Sequence, residues 1–236
     1  MVYRRLPNST PQRLAVLLHL SQRVAATPPA LVPLTAATIE KLNTFFPQYH
    51  QKIKEGKVAL YQQASQTARV VPAKKLAMWL VLDFLDAVQN AIRRGFFPPS
   101  VRSYYGLPVE RRTRPILNTE ADIIEQGERV VRGEAERVAR GGVPVTFPAI
   151  ADVAAAVEDF KQKNLQQSNV KDAYDRAQEA IAAENPKADK LILKCWNEIE
   201  AAFDEGDKPS LRRKAREWGV VYVERKKKKE EAKTEL

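Results

Sequence analysis

The stretch AKKLAMWLVLDFLDAVQNAIRR, residues 73–94, decides the fold class. Leu76, Leu80, Phe84, Val88 and Ile92 recur every four residues. At about 100° per residue they share one helical face. Trp79, Leu82 and Leu85 widen that face until the first turns are apolar nearly all round. Toward the N-terminus, Ile39, Leu42, Phe46, Tyr49 and Ile53 keep the same three-or-four spacing over residues 36–68, and Pro47 predicts a kink or a break within it. Between the two runs, Val70-Val71-Pro72 reads as a tight connection joining antiparallel helices.

The same order returns further along the chain. Leu6-Pro7-Asn8-Ser9 corresponds to Ile116-Leu117-Asn118-Thr119, each opening a helix with a pair suited to N-capping. Pro33-Leu34-Thr35 corresponds to Pro144-Val145-Thr146, and Ile39, Leu42 and Tyr49 to Ile150, Val153 and Phe160. Lys75-Leu76 corresponds to Lys190-Leu191, and Tyr104-Tyr105-Gly106-Leu107 to Glu217-Trp218-Gly219-Val220. The offset runs only from 110 residues at Asn8 and Asn118 to 115 at Lys75 and Lys190. Landmarks kept in order at a nearly constant offset read as an internal duplication.

Helices are therefore expected at 11–26, 36–68 and 73–94, and again at 120–140, 148–183 and 188–204, with Asn185-Pro186 as the second hairpin connection. A short fourth helix ends in each copy at Gly106 or Gly219, the residue type that caps a helix in the left-handed conformation. The fold class is all-α: two tandem, diverged helical-bundle repeats, 1–110 and 111–224, packed as one body because residues 76–82 offer more apolar surface than one small bundle needs. Residues 225–236 read as a charged disordered tail whose removal leaves folding unchanged. Val220 to Val223 is strand-like, and reads as an extended clip rather than a partner for residues 1–4. Trp196 is expected in its own bundle's core, and Trp79 toward the junction of the copies.

Several of these marks carry a resemblance. Leu6-Pro7-Asn8, Pro98-Pro99-Ser100 through Gly106-Leu107-Pro108, Leu117-Asn118-Thr119-Glu120 and Trp218-Gly219-Val220-Val221-Tyr222-Val223 resemble an uncharacterised bacterial family of duplicated helical-bundle proteins. The likeness covers most of the chain short of the lysine-rich tail. It implies a bacterial, non-enzymatic protein and brings no assigned activity.

Composition narrows the function classes. The net charge is +10, which favours solubility and a general attraction to polyanions. The single cysteine, Cys195, excludes an internal disulfide and suits a reducing, cytoplasmic setting. No apolar run reaches the roughly 18 residues of a membrane span. Residues 14–20 follow Arg4, Arg5 and Arg13 like the core of a signal peptide, but they end at Ser21-Gln22-Arg23 and their segment recurs inside the chain, so they read as helix.

Chemistry-bearing patterns are few. His19 and His50 are the only histidines and neither has a glutamate three residues before it, so the Glu-X-X-His pairs of di-iron bundles are absent. One cysteine excludes cysteine-based zinc sites, and no glycine-rich phosphate loop occurs. Cys195 lies mid-helix among apolar residues, as a packed cysteine does. No cofactor or metal is expected. Asp83 aligns with Glu198 at an offset of 115. Facing each other between the copies, the two acids would form a cation or acid–base site; turned to solvent, the reading preferred here, they pair with surface cations.

Basic segments are the other candidates. Arg111, Arg112 and Arg114 join the copies; Arg212, Arg213 and Lys214 lie on a helix ahead of Trp218; and a lysine run opens the tail. Arg111, Arg112, Arg114, Arg212, Arg213, Lys214 and Trp218, with Trp79 if it is exposed, form the candidate interaction set, while the tail's lysines, diluted by Glu230, Glu231 and Glu235, read as a solubilising end. The leading function reading is a non-enzymatic structural or protein-interaction module that binds a partner protein or itself. The alternative is a nucleic-acid-associated protein holding the phosphate backbone without sequence specificity. An enzyme with a carboxylate-lined site ranks third.

Overall fold

A computed structural model describes residues 2–224. Five α-helices carry the fold: α1 (Thr10–Ala26), α2 (Ala36–Arg93), α3 (Glu120–Ala139), α4 (Ile150–Ala202) and α5 (Lys208–Glu217). Short 3₁₀ turns occupy Pro29–Leu31 and Pro99–Tyr105. Two three-residue strands, β1 (Val2–Arg4) and β2 (Tyr222–Glu224), pair antiparallel, with Val2 opposite Glu224 and Arg4 opposite Tyr222. The protein is all-α, as its periodicity requires. The β1–β2 pair corrects the extended-clip reading. Its ladder is prolonged by the Arg5 amide donating to the Val221 carbonyl, and Arg4 and Tyr222 both bond Glu200.

Local chemistry sets most helix ends. Before α3, the Thr119 hydroxyl accepts from the Asp122 amide while the Asp122 carboxylate accepts from the Thr119 amide, a reciprocal capping box. Asp207 caps α5 by accepting from the Ser210 amide. Gly106 and Gly219 both adopt positive φ, at 70° and 84°. The chain leaves the preceding turn there through paired bonds back to it, such as Leu107 N–H to Arg102 O and Val220 N–H to Ala215 O.

The two expected hairpins do not form. Helix α2 runs unbroken for 58 residues past Pro47 and Pro72, and α4 for 53 residues past Pro186. An interior proline costs a helix roughly 3 kcal/mol. Here each sits beside side chains whose burial depends on the helix continuing: Val70, Ala73 and Ala77 flank Pro72, Tyr49 and Ile53 follow Pro47, and Ile181 and Ala188 flank Pro186. Burying even two such aliphatic side chains returns about as much as one proline costs.

Continuous helices change how the chain divides. One compact unit is made of Met1–Lys57 with Arg176–Leu236, and the other of Val58–Asp175. The sequence boundaries 1–110 and 111–224 do not outline these units, and residues 225–236, read as a tail, lie outside the described residues. In the first unit, Leu17 and Leu20 of α1 pack with Leu42, Tyr49 and Ile53 of α2 and with Ile192, Trp196 and Ile199 of α4, closed by Ala215, Trp218 and Val220. In the second, Ala77, Val81, Phe84 and Val88 of α2 pack with Ile123 and Val130 of α3, Val153 and Phe160 of α4, and Tyr105. Gly133 is required on α3, because a Cβ there would stand 2.1 Å from the Tyr104 carbonyl oxygen.

The buried face of α2 also differs from the expected one. Alanines 73 and 77 are buried while Leu76 and Trp79 are 50% and 57% exposed. Trp79 lies two residues from both Ala77 and Val81, about 200° around the helix, so it points away from the core they build. Trp196 is fully buried, as expected.

Two outcomes follow for the melting and proteolysis of the full chain. Trp196→Ala should cost about 3–5 kcal/mol, and Trp79→Ala should stay within about 0.5 kcal/mol of the parent, read by denaturant titration. A single tryptic cut at Arg111 or Arg112 should leave the two fragments co-eluting under native conditions, since each compact unit takes segments from both sides of the cut.

Candidate functional site

The first unit carries an open groove of about 600 Å³ between the first turns of α2 and the last turns of α4. On α2, Ala37, Glu40, Lys41, Thr44, Phe45 and Gln48 follow the three-or-four spacing of one helical stripe. On α4, Lys187, Lys190, Leu191 and Lys194 do the same. Phe45 and Leu191 supply an apolar floor; the Phe45 ring stacks on Tyr49 at 5.5 Å, which holds it from beneath. Four lysines stand against one glutamate around this floor. Lys187 is held by Glu184 at 3.1 Å and Lys194 lies 3.8 Å from Glu198. Lys41 and Lys190 make no ion pair among the described residues, and both are exposed. An apolar floor with a cationic rim can seat an amphipathic, negatively charged partner.

The sequence-derived candidates fall in different surroundings. Arg111 and Arg112 are exposed in the segment that precedes α3, while Arg114 is tied to Asp86 by a two-point guanidinium–carboxylate contact. Of the α5 residues, Arg213 bonds Ser210, Lys214 pairs with Glu205 at 2.8 Å and lies over the Phe203 ring, and Arg212 is half-buried. Trp218 is 4% exposed, under the Arg23 guanidinium at 5.3 Å. It is a core residue and cannot serve as a surface contact. The reason is the Gly219 turn, which folds it back onto α1. Of the two aromatic candidates, Trp79 is the one on the surface.

Asp83 and Glu198, the two acids aligned by the repeat, lie in different units. Asp83 belongs to the second unit and is exposed; Glu198 belongs to the first and is spent there. Its carboxylate accepts from the Thr35 amide at 2.9 Å and the Thr38 hydroxyl at 2.7 Å. Burial works against its charge, but these bonds and the nearby Lys194 hold its carboxyl below the usual range. It serves as a negative charge at the N-terminus of α2, where the helix dipole favours one.

The second unit contains a buried polar trio, one ion pair and one phenol, that no sequence pattern marked. Glu134 and Arg137, 1% and 4% exposed, form a two-point ion pair one turn apart on α3. The Tyr105 hydroxyl donates to Glu134 at 2.6 Å, the Val145 amide donates to it at 2.9 Å, and Arg137 donates to the Val143 carbonyl. Both charges are sealed and the Glu134 oxygens are fully engaged, so the trio fixes the Tyr105 turn and the loop after α3. Burial pushes the Tyr105 phenol well up, helped by the adjacent carboxylate. Glu134 is opposed by its burial yet held below the usual glutamate range by Arg137, Tyr105 and the Val145 amide. Cys195 is fully buried, and burial pushes its thiol up to about 12, which keeps it protonated as a packing group.

Among the described residues, no helix is long and apolar enough to cross a membrane, and no group of three histidine, cysteine or acidic residues stands close enough to hold a metal ion. No family model, curated protein or solved structure matches the chain.

The trio makes acid sensitivity testable. Because the folded state lowers the Glu134 pKa, its contribution is complete above the ordinary glutamate value near 4.3 and is lost as pH falls through the lower folded value. Glu134→Gln leaves Arg137 buried without a counter-charge and should cost about 3–5 kcal/mol near pH 7. The gap between variant and parent melting should narrow below about pH 4.

Proposed function

We propose that this chain is a non-enzymatic helical interaction module whose lysine-rimmed groove in the first unit takes an acidic, amphipathic helix from a protein partner. The observation that carries this reading is the coexistence of an apolar floor, Phe45 and Leu191, with two ammonium groups, Lys41 and Lys190, that no described carboxylate neutralises. The α2 stripe from Ala37 to Gln48 is about 16 Å long at 1.5 Å per residue, room for three turns of a bound helix. Such a helix would set leucine-type side chains on the floor and glutamates at the rim, the helix-in-groove mode of recognition. The unbroken α2 and α4 remove the hairpin that each tandem copy was expected to contain; what still favours a duplication is the matching make-up of the two units. Helix α1, the start of α2 and the end of α4 in one unit answer α3, the start of α4 and the end of α2 in the other. The single buried cysteine suits the cytoplasm.

Fluorescence anisotropy with the full chain tests this. The probe is a synthetic amphipathic helix with leucines on one face and glutamates on the other, and a single-stranded DNA oligonucleotide serves as the second arm. Saturable binding of the peptide is expected, with a loss of at least about tenfold in the Lys41→Glu/Lys190→Glu double variant. Exposed charge reversals should leave melting within about 0.5 kcal/mol. Equal affinity in the double variant would overturn the groove as the site. Steeply salt-dependent DNA binding with no peptide binding would favour the nucleic-acid reading instead.

A further inference from the structure

A second cavity, about 320 Å³ and wholly within the second unit, is lined by four arginines: Arg93, Arg102, Arg112 and Arg114. The last turns of α2 supply Arg93 together with Asp86 and Gln89; the 3₁₀ turn supplies Arg102; and the connecting segment supplies Arg112, Thr113 and Arg114. Arg102 is the informative member. It is only 4% exposed, yet every acceptor it meets is neutral. Its Nε donates to the Pro108 carbonyl at 2.7 Å, one Nη to the Thr113 carbonyl at 2.9 Å and the other to the Gln89 side-chain oxygen. These bonds take three of its five N–H groups. A guanidinium removed from water ordinarily meets a carboxylate. The single acid in the cavity wall, Asp86, is already engaged by Arg114. Arg112 makes no ion pair among the described residues. Four guanidinium groups against one carboxylate leave a net charge of +3 around the cavity.

We propose that this cavity is a binding site for a small phosphoryl-bearing anion with two or more negative charges, such as a phosphate monoester or a diphosphate. The planar guanidinium fork matches two oxygens of a tetrahedral oxyanion, and several forks converging on one space favour a multiply charged anion over a monocarboxylate. Arg102 is the positioning element: its bonds to the Pro108 and Thr113 carbonyls and to Gln89 tie the connecting segment, which carries Arg112, to the end of α2, which carries Arg93. Occupancy supplies the counter-charge that Arg102 lacks. The site therefore couples ligand binding to order in the residues that join the 3₁₀ turn to α3. It is independent of the lysine groove, which lies in the other unit.

Calorimetric titration of the full chain with inorganic pyrophosphate tests the proposal, in a buffer of about 0.15 M chloride that screens non-specific attraction. Saturable one-to-one binding is expected, weakened at least about tenfold in Arg93→Gln and in Arg112→Gln, both surface residues whose loss spares the fold. The ligand should also slow tryptic cutting at Arg111 in the parent. The Lys41→Glu/Lys190→Glu variant should bind pyrophosphate like the parent. The proposal is overturned by absence of saturable binding, by unchanged affinity in both arginine variants, or by loss of binding in the lysine variant, which would place the anion in the groove.

Discussion

Pro72 has no amide hydrogen to donate and its ring presses on the carbonyl of Ala68, one turn back. Helix α2 nevertheless continues, because Val70 on one side and Ala73 and Ala77 on the other are buried in the same core and a break would pull one set out. The same contest is settled the same way at Pro186 on α4. Once neither helix can end at its proline, each must supply a different compact unit at each of its ends. The rest of the arrangement depends on that constraint. α1 finds its packing partners on the far part of α4, and α3 finds its own on the far part of α2.

This explains what a reader of the sequence can and cannot recover. Helix α1 was expected at 11–26 and spans Thr10–Ala26; α3 was expected at 120–140 and spans Glu120–Ala139. Their ends are set by capping residues and prolines within a few positions, which the sequence displays. The proline penalties at 72 and 186 are equally visible, but the burial that outweighs them involves residues a hundred positions away. Period alone also favoured Leu76 over Ala77 as a core position. The side chain that lies in the core is the smaller one: Ala77 is fully buried while Leu76 is half-exposed.

The two candidate sites differ in the same way. The lysines at 187, 190 and 194 are a readable stripe, yet Lys41 and Phe45 join them only through packing between α2 and α4. Arg102 stood among the marks that suggested family resemblance and carried no chemical signal by itself. Its meaning comes from the carbonyls of Pro108 and Thr113, whose placement no local rule dictates. Trp218 shows the opposite error: an aromatic after a basic run looks like a contact surface, and the Gly219 turn buries it instead.

The division of the chain has a consequence for its synthesis. Val58–Asp175 is one uninterrupted stretch, so the second unit is complete before the first, whose other part begins at Arg176. Residues up to Lys57 leave the ribosome early, and Leu17, Leu20 and Leu42 must wait for Ile192, Trp196 and Ile199 before their shared core is closed from the α4 side. At usual elongation rates that interval is on the order of ten seconds. During it, α1 and the start of α2 present an apolar face that α4 has yet to cover, the kind of surface that chaperones hold. The last part of the molecule to become stable is thus the part that is made first.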